Sequence, residues 1–167
     1  MANITIIIRG DKEAIGSLKR LSEGITEMDI PLAESSSNYM NAISSNFSDE
    51  GKTFGQPWPP LSEATIAIKR ALKAQGKAIE VEKPLVRTGA MREGFGYDLI
   101  GKNISRIYNQ MSYALVHQEG GTVKTKGKTS RVPKRVLAEV DDKRVSMVAN
   151  IFEKWVRNII SQARLDV

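Results

Sequence analysis

The chain contains no cysteine, one histidine and few aromatic side chains. These shortages exclude certain metal and disulfide sites and limit the composition of the core. Without cysteine, the 167 residues cannot hold disulfides or thiolate metal sites. The single histidine, His117, excludes a metal motif built from two histidines. Aromatic residues make up 6% of the chain and apolar residues 41%, so we expect a core that is mainly aliphatic.

Long apolar runs are also missing. No window approaches the eighteen or so apolar residues that a membrane-spanning helix needs. The first residues, 1–8, lack the basic region and the apolar stretch of a signal peptide. We therefore expect a soluble, intracellular protein without membrane contact, formed as a single domain over residues 1–167.

The charge balance is basic, with a formal net charge of +6. Part of this excess falls in a glycine-containing stretch, 122–131, that has no apolar residue after Val123, so we predict a mobile basic loop there. Its candidate contact residues are Lys124, Lys126, Lys128 and Arg131. A solvated basic surface is the simpler interpretation, and binding to DNA is the alternative.

The hydrophobic pattern predicts an α+β protein. Alternating residues at 4–8 indicate a short strand, and residues 95–100 and 104–109 indicate a hairpin. Apolar spacings of three and four predict helices after Asp11, after Pro31 and after Ser62, and a long C-terminal helix from Asp141 or Asp142 to Ala163. We expect a small antiparallel sheet of three to five strands, packed against the C-terminal helix and the N-terminal helices, with the apolar stripe of that last helix in the core.

A rigid segment interrupts this pattern at residues 48–62. Three prolines and a tryptophan stand together, and proline excludes a helix interior or a central strand. Such a segment either docks on a partner or locks one helix against the next. The candidate docking residues are Pro57, Trp58, Pro59 and Pro60.

Signals of catalysis are weak. His117 and Glu119 could supply a base and a carboxylate for a small hydrolase, but no nucleophile motif accompanies them. The glycines at 94 and 96 lack the third glycine of a phosphate-binding loop. We therefore expect neither an enzyme nor a bound cofactor or metal.

Two blocks of residues resemble the phage virion morphogenesis family, which is typified by a tail-completion protein of Mu-like phages. The first block runs from Gly51 through the proline segment to Thr65 and Lys69. The second block comprises four short motifs in order: Leu85-x-Arg87-Thr88-Gly89-x-Met91-Arg92, a hairpin, Tyr113-Ala114-x-x-His117-Gln118-x-Gly120, and Val132-Pro133-x-Arg135. The order is also similar to that of phage head–tail joining proteins.

This resemblance implies a structural protein of a tailed phage or a prophage. The expected role is tail completion or head–tail joining, as a subunit of an oligomeric ring. The expected partners are further copies and other head or tail proteins, with DNA nearby. The expected location is the virion, and the bacterial host cytoplasm during assembly. A basic DNA-binding architectural protein is the alternative.

Overall fold

The computed structural model describes residues 12–77, 79–125 and 127–162. The predicted strand at 4–8, the cap at Asp11, the loop residue Lys126 and the helix end at Ala163 lie outside these ranges. In chain order the helices are α1 (Lys12–Thr26), α2 (Asp29–Ser48), a 3-10 turn (Lys52–Phe54), α3 (Glu63–Ala74), α4 (Ala90–Glu93), α5 (Ala114–Glu119) and α6 (Asp142–Gln162). The strands are β1 (Phe95–Ile100), β2 (Ile104–Asn109), β3 (Gly121–Thr125) and β4 (Lys128–Val132).

The α+β class is confirmed, with helices at the N-terminal side and a long helix at the C-terminal side. Local capping explains two of the helix starts. The Ser62 hydroxyl accepts a hydrogen bond from the Thr65 amide at the start of α3, and Asp141 Oδ1 accepts one from the Arg144 amide at the start of α6. No helix within the described ranges combines the length and the apolar character that a membrane crossing requires.

The strands form two separate antiparallel pairs in the described part of the chain, where the sequence analysis predicts a single sheet. β1 pairs with β2 from Phe95 opposite Asn109 to Ile100 opposite Ile104, as the hairpin pattern predicts. β3 pairs with β4, and α5 stands between the two hairpins along the chain. β1 and β2 contact α2, whereas β3 contacts α5, so each hairpin has its own helical support.

The core is centred on α2. Its buried members are Ile43, Phe47, Phe54, Trp58, Met91, Ala114, Val136 and Leu137. Asn46 is fully buried among them, and its amide nitrogen donates to the Val136 carbonyl at 2.9 Å. Because a buried amide needs a partner, this bond holds the segment before α6 against α2.

The apolar stripe of α6 is covered only in part. Ile151 is buried, Phe152 and Trp155 are half-buried, and Val145 is 55% exposed. The helix contacts α1 and α2, but it contributes only Ile151 to the buried apolar residues. The prediction that this stripe forms the core is therefore wrong for most of its length, because α2 and the segment that contains Trp58 occupy the centre.

Candidate binding groove

The proline segment is built around a buried tryptophan. Trp58 is 6% exposed, its ring meets Phe47 edge-on with the centroids 5.2 Å apart, and its Nε1 donates to the Val136 carbonyl at 2.8 Å. Trp58 is therefore a core residue, and the prediction that its ring is a docking surface is wrong. The alternative interpretation, a segment that locks helices together, fits this geometry. Pro57, Pro59 and Pro60 are exposed, and their docking role stays a prediction.

A tight turn delivers Trp58 to the core. Gly51 has φ of +95°, and a Cβ atom there would lie 2.5 Å from Trp58 Cδ1 and would also clash with the Gln56 carbonyl oxygen. The Trp58 amide donates to the Glu50 carbonyl at 2.7 Å. The turn therefore requires glycine both for its backbone conformation and for the space beside the indole.

The basic stretch forms a hairpin in the structure, at the position where the sequence analysis predicts a mobile basic loop. Lys124 lies opposite Thr129, and Gly127 stands in the turn with φ of +77°. Threonine and valine favour strands, and glycine allows the turn, so charge alone does not prevent pairing. Lys124, Lys128 and Arg131 are exposed. Mobility of the hairpin stays a prediction, which limited proteolysis after Lys124 or Lys128 would check.

The motifs of the two sequence blocks meet at one groove of about 790 Å³, called the motif groove below. It lies between the end of the proline segment, α3, the turn before α4, α5 and the end of β4. It includes Pro60 from the candidate docking segment and Arg131 from the basic hairpin. Its apolar lining comprises Pro60, Leu61, Ile68, Leu85, Met91, Val132 and Pro133, together with the Tyr113 ring.

Four cationic side chains line the motif groove: Lys69, Arg87, Arg131 and Arg135. Lys69 and Arg135 are 4% and 5% exposed, whereas Arg87 and Arg131 are exposed. Among the described residues, no carboxylate lies within salt-bridge distance of any of the four. The lining itself contains no aspartate or glutamate. Among the described residues, the lining of the groove is therefore positively charged and includes no acidic side chain.

Neutral carbonyl groups hold the two buried cations in place. The Lys69 ammonium donates to the Lys83 carbonyl at 2.6 Å. The Arg135 guanidinium donates from Nη2 to the carbonyls of Pro59 at 2.9 Å and Pro60 at 3.3 Å, and from Nε to Pro59 at 3.2 Å. Burial lowers the pKa of both side chains, and the negative charge of Glu80 partly opposes this shift at Lys69.

His117 lies at the groove with one ring nitrogen unused. Its Nδ1 is buried and has no hydrogen-bond partner among the described residues. Burial lowers the pKa of the imidazole, and the positive charge of Arg135 adds to the effect. The Arg135 amide donates to the His117 carbonyl at 2.7 Å. In the described part of the chain, Nδ1 therefore does not have the orienting hydrogen bond that a histidine has in a nucleophile–base–carboxylate triad.

The neighbouring Gln118 has a structural role that the sequence did not reveal. Its Oε1 accepts hydrogen bonds from the amides of Leu137 at 2.8 Å and Ala138 at 3.3 Å, and its Nε2 donates to the Ala138 carbonyl at 2.9 Å. Through these three bonds, the Gln118 side chain holds the backbone of the segment that leads to α6, as a neighbouring strand would. The only signal of this role in the sequence was that Gln118 lies beside His117 in the motif.

A second groove lies on the other side of α5. It encloses about 970 Å³ and is mainly apolar; we call it the apolar groove. Tyr113 and His117, four residues apart on α5, line the motif groove, whereas Ala114 and Gln118 line the apolar groove. The other apolar residues that line it are Tyr39, Phe95, Ile107, Tyr108, Met111, Leu115, Leu137, Ala138, Val140, Val145 and Val148.

Comparison with known protein families gives a match over most of the chain. The sequence model of the phage virion morphogenesis family matches residues 11–157, which include both grooves and every motif described above. No curated protein and no solved structure matches the chain.

Proposed function

The chain belongs to the phage virion morphogenesis family, and we propose that it acts in tail completion or head–tail joining as a subunit of a ring. The family supports a structural role in phage assembly. The finer role follows from the order of motifs in the two sequence blocks.

The observation that supports contact between copies, as in a ring, is the exposed apolar groove on the subunit. A ring of identical subunits uses heterologous contacts, in which one surface of each copy meets a different surface of the next. The apolar groove is the surface that we assign to a neighbouring copy. Leu115, Val140 and Val145 stand at it with exposures of 69%, 75% and 55%, and exposed apolar patches mark interaction sites.

A pair of variants on α6 tests the contact between copies. Val145→Glu places a charge in the apolar groove and should leave the fold intact, since residue 145 is exposed. Ser146→Glu adds the same charge at an exposed position outside the groove. Native mass spectrometry should show oligomers for the wild type and for Ser146→Glu, and loss of these oligomers for Val145→Glu. Equal assembly of both variants would remove the apolar groove from the interface.

The virion role is tested in the phage itself. Deletion of the gene should yield heads and tails that are separate or unfinished in negative-stain electron microscopy, with restoration by the gene supplied in trans. Quantitative mass spectrometry of purified virions should find several copies per particle. A single copy per particle would overturn the ring, and infectious particles without the protein would overturn the assembly role.

DNA contact is the second candidate function, and the exposed cations of the β3–β4 hairpin favour it. Each phosphate that a cation neutralises steepens the fall of affinity with salt, by about 0.9 in the log–log slope for duplex DNA. Lys124→Gln with Lys128→Gln should therefore reduce the slope by roughly 2 if both side chains contact phosphates. An unchanged slope would exclude the hairpin from a DNA interface.

A further inference from the structure

We infer that the motif groove binds a peptide segment of a virion partner in which a carboxylate stands beside an apolar side chain. The virion origin of the partner rests on the proposed function, whereas the chemistry of the ligand rests on the groove alone. Four cationic side chains and a largely apolar wall meet in one cavity, whose lining among the described residues includes no acidic side chain.

The missing counter-charge is the first argument. Buried ions are normally paired, because removal of a charge from water is costly. In the described part of the chain, the charged groups of Lys69 and Arg135 donate hydrogen bonds only to carbonyl oxygens. Glu80 is the acidic residue whose charge acts on Lys69, but it forms its own ion pair with Lys83 at 2.9 Å. A carboxylate from another protein would supply the ion pairing that the described residues of this chain do not.

Spare donors make such pairing possible. The recorded bonds of Arg135 use Nε and Nη2, so the N–H groups of Nη1 are free to donate in the described structure. Lys69 uses one of its three N–H donors. Arginine in particular pairs with a carboxylate through two parallel bonds.

The shape of the site favours a peptide over DNA. Phosphates of duplex DNA lie on a rigid, convex surface, whereas Lys69 and Arg135 are almost fully buried in a concavity. Leu61, Ile68 and Met91 offer apolar contact that a phosphate cannot use. A volume of about 790 Å³ lies within the range of sites that enclose small ligands, and it suits a few side chains of an extended segment.

The sole histidine gives the experiment a specific reporter. The full-length protein is titrated with acetyl-Leu-Glu-Leu-amide while the ring resonances of His117 are followed by NMR. We expect saturable shifts for this peptide and roughly tenfold weaker binding of acetyl-Leu-Gln-Leu-amide, because charge-assisted hydrogen bonds are about twice as strong as neutral ones. Equal binding of the two peptides, or no saturable shift with either, would overturn the carboxylate proposal.

Variants at the exposed edge of the groove test the location without disturbing the core. Arg87→Gln with Arg131→Gln should weaken the glutamate peptide at least tenfold. Lys143→Gln with Lys154→Gln removes the same charge from exposed positions on α6 and should leave binding unchanged. Equal effects of the two pairs would show that net charge alone attracts the peptide, and would overturn the assignment of the site.

Two competitors separate the other possible ligands. Inorganic phosphate that matches the peptide in affinity and in His117 shifts would reduce the groove to a general anion site. If a short DNA duplex displaces the peptide when both are present at the same concentration of negative charge, the groove is a DNA site. A different measurement would show that the proposed function is wrong: the protein would be absent from purified virions, whatever the peptide titration shows. Virions that assemble normally with Arg87→Gln and Arg131→Gln would separate the groove from assembly and overturn the virion partner.

Discussion

Replacement of Trp58 by alanine should destabilise the fold strongly, and the structure gives the size of the effect. The side chain is 6% exposed and meets Phe47 edge-on. Truncation of a buried tryptophan costs about 3–5 kcal/mol, which includes its aromatic contact. The Val136 carbonyl keeps its bond from Asn46, so no unpaired acceptor is added to that cost. We expect about 4 kcal/mol, a large share of the 5–15 kcal/mol typical of a domain.

Urea unfolding followed by far-ultraviolet circular dichroism measures this loss. With a slope of about 2 kcal/mol per molar, the midpoint of Trp58→Ala should fall by roughly 2 M. Trp58→Phe keeps most of the packing and loses the indole hydrogen bond, so it should cost about 1–2 kcal/mol. Ile30→Ala is the control, because this side chain is 71% exposed, lines neither groove and should change stability by less than about 0.5 kcal/mol.

One result would refute this reasoning. If Trp58→Ala unfolds at the wild-type urea concentration yet no longer supports completion of the virion, the indole is not a core residue. It would then be the docking residue that the sequence predicts. Loss of stability by Trp58→Ala, with a smaller loss by Trp58→Phe, would confirm the core assignment.

Three further substitutions follow from the geometry. Gly51→Ala should cost at least about 2 kcal/mol, because of its positive φ and the clash beside Trp58; a wild-type melting temperature would contradict this. The depressed pKa of His117 means that the unfolded chain binds a proton first, so stability should decline as pH falls below about 6.5, and His117→Gln should flatten that decline between pH 8 and 5.5. Phe152→Ala should lower the free energy of unfolding by about 2 kcal/mol and leave a folded protein, since the ring is only half-buried. Lys154→Ala, on the exposed side of the helix, should have little effect. An unfolded Phe152→Ala protein in circular dichroism would contradict this prediction.

Local signals in the sequence predicted the elements that depend on neighbouring residues. The cap at Ser62, the hairpin around 101–103 and the helix after Asp141 all rest on interactions within a few residues, and all three are confirmed. The burial of Trp58 depends instead on the Val136 carbonyl, 78 residues away along the chain. No local pattern carries that information, so an amphipathic ring beside prolines resembled a surface feature.

The motif groove could not be predicted from the sequence for the same reason: its residues lie far apart along the chain and meet only in the folded protein. Lys69, Arg87 and Arg135 belong to three separate motifs, and each resembled an ordinary surface cation. The family resemblance gave their order along the chain but not their convergence. Burial of Lys69 and Arg135 is a tertiary property, since charged side chains are seldom buried and composition alone favours exposure.

The proline segment contacts both the core and the motif groove: Trp58 packs in the core, and the carbonyls of Pro59 and Pro60 bind Arg135 at the groove. Proline has no amide hydrogen to offer to a strand, but its carbonyl remains free to accept. The carbonyls of Pro59 and Pro60 accept from Arg135, while the neighbouring Trp58 donates to the carbonyl of Val136, the residue after Arg135. The two segments are thus joined by bonds in both directions. The tryptophan fixes the stretch on the core side, and the proline carbonyls fix the guanidinium on the groove side. The prolines therefore hold the Arg135 guanidinium at the motif groove, whereas the tryptophan beside them is buried in the core.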